Sequence, residues 1–345
     1  MNPKAVGVTL LLAIGVSACG GATAAESTPS ASPTAGAARA QPSTPASAAA
    51  QTTGLRKAIF ATPSADFTGF PSAVAKDRGF FAQHGLDMTV QLMTTPVAMA
   101  ALTAGEIQFT SGTGTAARSA VQGLPVRVIA HIQTEPFSFL TRPEVAAIGG
   151  LKGQKVGFNS IGGDDYVFTL TALKKGGLNP EDVQLVTVGS TAEITKALMA
   201  GQISGGLVGP PFAQQLAAQG FHIQAGPDLM VLPSGGLATS VQELQKDPAL
   251  VRDTLEAILD VIVWTRSNPD QAVAYFSSKY DLPPEITKPA YDQMMSSLRF
   301  SFSDQDLQGV IQRALEQAKS SKSVGISDVY DLTTFNELVK AKGLA

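Results

Sequence analysis

The stretch that decides the architecture is Ala101-Leu102-Thr103-Ala104-Gly105-Glu106-Ile107, because it returns 96 residues later as Ala197-Leu198-Met199-Ala200-Gly201-Gln202-Ile203. Self-similarity at a fixed offset means that one supersecondary unit is used twice. The flanks keep step. Arg56 to Ala61 answers Gln154 to Phe158, and Asp87 to Met93 answers Asp182 to Val188, each a short apolar strand ending near small polar residues. Between the strands lie helical patterns that stop at glycine: 71–79 and 97–105 in the first copy, 164–176 and 191–201 in the second. Glycine past the last turn is the usual left-handed stop. Each copy therefore reads strand, helix, strand, helix, strand, which calls for a parallel sheet covered by helices. Two copies mean two lobes.

After each copy come one more helix and strand, 114–123 with 125–131, then 211–220 with 221–224. From Val241 the pattern turns helical, with starts marked at Pro248, Pro269, Pro284 and Ser303 and a last helix near 332–342. The strand-like stretch 236–240 returns the chain to the first lobe. The expected fold is thus a two-lobed α/β body with its helical C-terminal region packed on lobe one.

The first residues speak to compartment. Lys4, an apolar run from Ala5 to Val16, and Val16-Ser17-Ala18-Cys19 have the pattern of a secretory signal over residues 1–18. An apolar run of about a dozen residues is too short to span a bilayer, which takes about 20. Cys19 is the only cysteine, so an internal disulfide and a multi-cysteine metal site are both excluded. Val-Ser-Ala-Cys-Gly resembles a bacterial lipobox, which implies cleavage before Cys19 and acylation of its sulfur, hence an extracytoplasmic protein held to the membrane by lipid. Residues 19–53 are almost wholly Ala, Ser, Thr, Pro, Gly and Gln, with Glu26 and Arg39 as the charges. Such a segment cannot bury enough apolar surface to offset its ordering entropy and reads as a tether. A net charge of −3 with scattered basic residues offers no field or patch for nucleic acid.

In open parallel sheets, ligands gather beyond the carboxyl ends of the strands, where helix amino termini point. Here those loops nominate Ser64, Asp66 and Phe67; Ser111, Gly112 and Thr113; Asn159, Ser160, Gly162, Asp164 and Tyr166; Ser190; and Gly209 with Pro210. Phe137 joins them as a candidate stacking wall. Each also has a structural role open to it: Ser and Thr cap helices, Asp stabilises helix amino termini, and the aromatics can be core. Gly162-Gly163 could free amides for an anion, yet no Gly-Lys-Ser/Thr phosphate loop accompanies it. His84, His131 and His222 are isolated, no Gly-x-Ser-x-Gly elbow occurs, and no ligand spacing suggests a metal. No catalytic residue, metal or cofactor is expected. With no arginine in these loops, a small polar organic solute with some apolar body suits them better than a multiply charged anion.

The body resembles the SsuA/THI5-like solute-binding proteins. The residues that carry this are Ala75-Lys76-Asp77-Arg78-Gly79-Phe80-Phe81-Ala82-Gln83-His84-Gly85-Leu86-Asp87, the repeated Ala-Leu-Thr-Ala-Gly-Glu-Ile, Gly123-Leu124-Pro125-Val126, Leu151-Lys152-Gly153-Gln154-Lys155-Val156-Gly157 and Gly177-Leu178-Asn179-Pro180-Glu181-Asp182-Val183. The resemblance implies a type II periplasmic-binding fold, with lobe one from 55–138 plus 232–345 and lobe two from 139–231. It also implies a monomer that hands a sulfonate, nitrate, pyrimidine or related solute to the permease and ATPase of an ABC importer. Ser64, Ser111, Thr113, Asn159 and Ser160 carry over by position. Closure of the cleft would hinge on crossings near 133–141 and 225–231. Two alternatives stand beside this: presentation of the solute to a membrane sensor, and the pyrimidine-making enzymes among fungal relatives, which use a cysteine-rich iron site that this chain lacks.

Overall fold

The structure, a computed structural model, describes residues 54–63, 67–161, 164–229 and 233–344, apart from the side chains of Thr68 and Asp164. The signal peptide, the acylated Cys19 and the tether expected over 1–53 lie outside the described residues.

The first repeat folds as β1 (Arg56–Thr62), α1 (Phe70–Asp77), α2 (Phe80–Gln83), β2 (Leu86–Leu92), α3 (Thr95–Ala104), β3 (Phe109–Thr110), α4 (Thr113–Gln122) and β4 (Val126–Thr134). The chain then crosses as β5 (Ser138–Thr141) into the second repeat: β6 (Lys155–Phe158), α5 (Asp164–Lys175), β7 (Gln184–Thr187), α6 (Thr191–Met199), β8 (Gly205–Val208), α7 (Phe212–Ala218) and β9 (His222–Ala225). It returns through β10 (Pro233–Ser240) to α8 (Val241–Lys246), α9 (Pro248–Ser267), α10 (Pro269–Tyr280), α11 (Pro284–Ser297), α12 (Asp304–Gln317) and α13 (Thr333–Ala341).

The two five-stranded sheets run β2-β1-β3-β10-β4 and β7-β6-β8-β5-β9, the same order place for place. Within each, the strands of the repeat pair in parallel, β1 with β2 and β3, β6 with β7 and β8. The fourth place goes to the crossing strand, β10 in one sheet and β5 in the other, and it runs antiparallel to both neighbours. The sheets are therefore mixed and not purely parallel. A strand delivered from the opposite lobe enters the sheet from the far end, so it must run against the others.

The echo that opened the sequence is reproduced atom by atom. Gly105 and Gly201 both sit at positive φ, 77° and 69°. In each copy the amide of the next residue reaches back to the carbonyl of the repeat's first alanine, Glu106 to Ala101 and Gln202 to Ala197, both at 2.9 Å. Leu102 and Leu198 are wholly buried below. This is a helix stop in which the left-handed glycine lets the chain turn down into the next strand.

Alternation along the strands puts apolar side chains on both faces of each sheet. In the first, Ala58 and Phe60 join the core under α1 and α9, which also takes Leu255, Ile258 and Ile262, while Ala61 turns to the core under α3, α4 and α12. In the second, Phe139 and Val156 meet Phe168 and Leu173 of α5, and Leu140 and Val208 meet Ile194 and Leu198 of α6. The C-terminal helices thus complete the first lobe.

Candidate functional site

The carboxyl ends of β1 and β3 lie side by side, and the Ser111 hydroxyl donates to Thr62 Oγ1 at 3.2 Å. The turn into α4 is tight: the Gly112 amide donates to Thr110 Oγ1 at 3.2 Å, and the amide of the buried Thr113 donates to the Ser111 carbonyl at 2.9 Å. A Cβ on Gly112 would come within 2.9 Å of Thr95 Cγ2, so only glycine lets this loop lie against the start of α3. Ser64 and Asp66 lie outside the described residues. Phe67 is wholly buried, its ring 4.6 Å from Phe276 and 4.9 Å from Tyr280, in the core of the first lobe.

In the second lobe the loop after β6 is folded by a residue that sequence reasoning passed over. Asp165, buried in the first turn of α5, accepts from the amides of both Asn159 (2.6 Å) and Ser160 (3.4 Å) through Oδ2. These are the amides that a bound anion would otherwise claim at the foot of a helix. The protein's own carboxylate fills that place. What Asn159 and Ser160 still present, half-buried, is side chains and carbonyls. Gly162 and the side chain of Asp164 lie outside the described residues. The Asp-Asp pair is a weak signal, since either carboxylate could serve the helix start. Half-buried Tyr166 leans on Phe158 with ring centres 5.0 Å apart, which places an aromatic edge beside the same loop.

The remaining candidates serve the scaffold directly. Ser190 closes a capping box on α6: its hydroxyl accepts from the Glu193 amide at 3.4 Å, and its own amide donates to Glu193 Oε2 at 2.6 Å. The Gly209 carbonyl accepts from the Ala213 amide at 3.1 Å, and Gly209 and Pro210 are buried at the end of β8. Phe137 packs, half-buried, on the second-lobe core at the first crossing.

Among the described residues, a contact runs from helix α4 of the first lobe to a loop of the second. Arg118, in the second turn of α4, donates from Nη1 to the carbonyl of Ile161 in the β6–α5 loop. It escaped the sequence reading because it sits on a helix and not in a loop; its being the one charge among the small residues of α4 is the signal that could have found it. At the crossings, the Ser234 hydroxyl donates to Glu135 Oε2 at 3.0 Å, tying the two connecting segments together. Gln293 of α11 donates to the Pro136 carbonyl at 2.6 Å and accepts from Gln214 of α7 at 2.6 Å. Among the described residues, no three His, Cys, Asp or Glu side chains gather as metal ligands.

Comparison with known proteins bears on this arrangement. The family model described as NMT1/THI5 like matches residues 65–272. The riboflavin-binding protein RibY of Chloroflexus aurantiacus is 28% identical over 285 residues, covering 79% of this chain and 77% of that protein. The 4-amino-5-hydroxymethyl-2-methylpyrimidine phosphate synthase THI5 of Saccharomyces cerevisiae is 26% identical over 239 residues, 63% of this chain and 68% of that one. Among solved structures, the periplasmic aliphatic sulphonate binding protein SsuA of Escherichia coli superposes with a TM-score of 0.65 at 18% identity, over 81% of this chain and 93% of its own, which establishes the shared two-lobed fold.

Proposed function

Because this chain belongs to the NMT1/THI5-like family, we propose that it is an extracytoplasmic solute-binding protein that closes on a small heterocyclic solute and delivers it to the permease and ATPase of an ABC importer. The observation that carries this reading is the Arg118–Ile161 contact between two sheets whose loop-bearing ends belong to different lobes linked by two chain crossings. That is the layout a hinge-closing receptor needs, with solute gripped from both sides.

Asp165 narrows the class. With the Asn159 and Ser160 amides committed to its carboxylate, an anionic head group meets a filled place, so a neutral ring held by hydroxyls, amides and the Tyr166 edge fits better than sulfonate or nitrate. Two relatives point the same way, since one is named for riboflavin, whose ring system contains a pyrimidinedione, and the other for a pyrimidine. We read the role as binding and not turnover, because the riboflavin-binding relative matches more of the chain than the synthase does. Lipid attachment at Cys19 belongs to the same reading, resting on Val16-Ser17-Ala18-Cys19-Gly20.

A thermal-shift titration with riboflavin, 4-amino-5-hydroxymethyl-2-methylpyrimidine, an alkanesulfonate and nitrate tests the class, since a ligand specific to the native state raises the melting temperature with concentration. A rise with either heterocycle and none with the anions is expected. A rise with sulfonate or nitrate alone would overturn it. Membrane fractionation of Cys19→Ala tests the anchor: the variant should move to the soluble fraction.

A further inference from the structure

A cavity of about 1250 Å3 lies in the first lobe against β4, between α8, the start of α12, the segment 326–332 and α13. None of its lining residues comes from the loops described above. Its walls are mixed: Phe300, Phe302, Tyr330 and Phe335 supply rings, and Gln245, Gln308 and Asn336 are among the polar side chains between them. Among its lining residues is His131, on β4, whose ring centre stands 5.7 Å from both Phe302 and Tyr330.

His131 is 3% exposed, and neither ring nitrogen makes a hydrogen bond of good geometry. Buried polar groups are hydrogen-bonded in the great majority of cases, so an imidazole lining a cavity with no well-formed hydrogen bond asks for an explanation. Burial holds its titration down at about 4, outweighing an upward pull from the Gly235 backbone. At neutral pH the ring is therefore uncharged and offers one N–H donor and one bare nitrogen acceptor. Three charged groups line the cavity, Arg127, Asp304 and Asp331; Arg127 donates to the Ser327 and Val126 carbonyls at 3.1 and 2.9 Å, and Asp331 accepts from the Thr333 amide at 3.3 Å.

We propose that this cavity is a second ligand site, taking an uncharged planar aromatic molecule that bears a hydroxyl, carboxamide or lactam and satisfies the His131 imidazole while its ring packs among Phe302, Tyr330 and Phe335. An anionic ring is disfavoured, since the lining sets two carboxylates, Asp304 and Asp331, against the single cation Arg127, and its charge would be desolvated beside the buried neutral imidazole. The site does not depend on what the interlobe loops bind. His131 and Glu135 lie four residues apart as the chain runs from β4 into the first crossing, so an occupant here sits on the chain segment that leads to the hinge.

The test uses the full chain with 15N-labelled histidine, in which three imidazoles report: His84, His131 and His222. Titration with benzamide and with phenol should move the His131 ring signals along a saturable curve, and benzoate should not move them. Asn336→Trp, at an exposed position lining the cavity, should weaken that binding at least tenfold without disturbing the fold. His131→Phe should melt at a higher temperature than the parent, because a buried polar ring without a well-formed hydrogen bond is replaced by an apolar one of similar shape, and should lose the benzamide response in thermal shift. The absence of a saturable shift, a response equal for benzoate, or benzamide binding undiminished in Asn336→Trp would each overturn the proposal.

Discussion

The guanidinium of Arg118 donates to the backbone carbonyl of Ile161, so a helix of one lobe holds a loop of the other. A solvent-accessible hydrogen bond of this kind contributes about 1 kcal/mol, roughly a fivefold bias in a two-state equilibrium. Arg118→Ala should therefore shift the unliganded protein toward open forms. Small-angle scattering should show a larger radius of gyration than the parent, and calorimetry an affinity for the solute lower by about fivefold. An unchanged radius and affinity would remove Arg118 from the closing mechanism.

Ser190 separates capping from contact. Its hydroxyl and amide are both engaged with Glu193, as the capping box requires. Ser190→Ala is expected to lower stability by about 1 kcal/mol while leaving solute affinity within twofold. A large affinity loss with unchanged stability would return Ser190 to the binding surface.

How far the sequence speaks depends on the range of the physics involved. Gly105 and Gly201 are legible because a left-handed helix stop is a local event, and its recurrence 96 residues on gives away the two lobes. The proline and serine starts of α9 to α12 are legible for the same reason: Pro248, Pro269 and Pro284 open their helices, and Ser303 caps the last. The direction of β5 and β10 is not local. It follows from each strand finding neighbours in a sheet whose other members come from distant sequence, so a purely parallel sheet is the natural but incomplete reading. The site divides along the same line. Loops at strand ends can be found, but whether Asp164 or Asp165 folds the loop, or whether a helix side chain such as Arg118 reaches across, depends on side-chain direction that spacing alone leaves open.

Two glycines test backbone geometry against space. Gly236 adopts a φ of +146°, and a Cβ there would stand 2.0 Å from the Ala130 carbonyl oxygen, inside the β10–β4 pairing. That neighbour is main chain and cannot swing away, so Gly236→Ala should cost roughly 2–3 kcal/mol and part the crossing strand from β4. Gly220, at φ +91°, meets nothing within 4 Å, so Gly220→Ala should cost only the conformational penalty of about 1 kcal/mol. Urea denaturation of the two variants checks the order, and equal losses would contradict it.

The glutamine pair at the crossings lends itself to a double-mutant cycle. Gln214 of the second lobe donates to Gln293 of the first, which donates to the Pro136 carbonyl. Residues that share one hydrogen-bond chain are not additive. Gln214→Ala and Gln293→Ala should each destabilise by about 1 kcal/mol, and the double variant by clearly less than their sum. Strict additivity in urea midpoints would show that the two side chains do not act together.

His131 gives the molecule an acid sensitivity of its own. Its native titration lies at about 4, pushed down by burial, against 6.5 for the ordinary side chain. Above 6.5 neither the folded nor the unfolded form carries the proton, and no penalty exists. As pH falls from 6.5 toward 4, the unfolded chain takes up a proton that the native state refuses, so stability declines across that window by up to about 3 kcal/mol and levels off below it. The carboxylates held below their usual range act lower down. Asp182, through the Asn179 amide and Lys152, and Asp306, through the Ser303 hydroxyl and amide, lose their contribution only as pH falls below their ordinary 3.8. Between 6.5 and 4, the difference between the parent and His131→Phe therefore reports the imidazole. Urea midpoints at pH 7.5, 5.5 and 4.5 should fall more steeply for the parent than for His131→Phe, and parallel curves would mean that the ring takes up its proton in the native state as readily as in the unfolded chain.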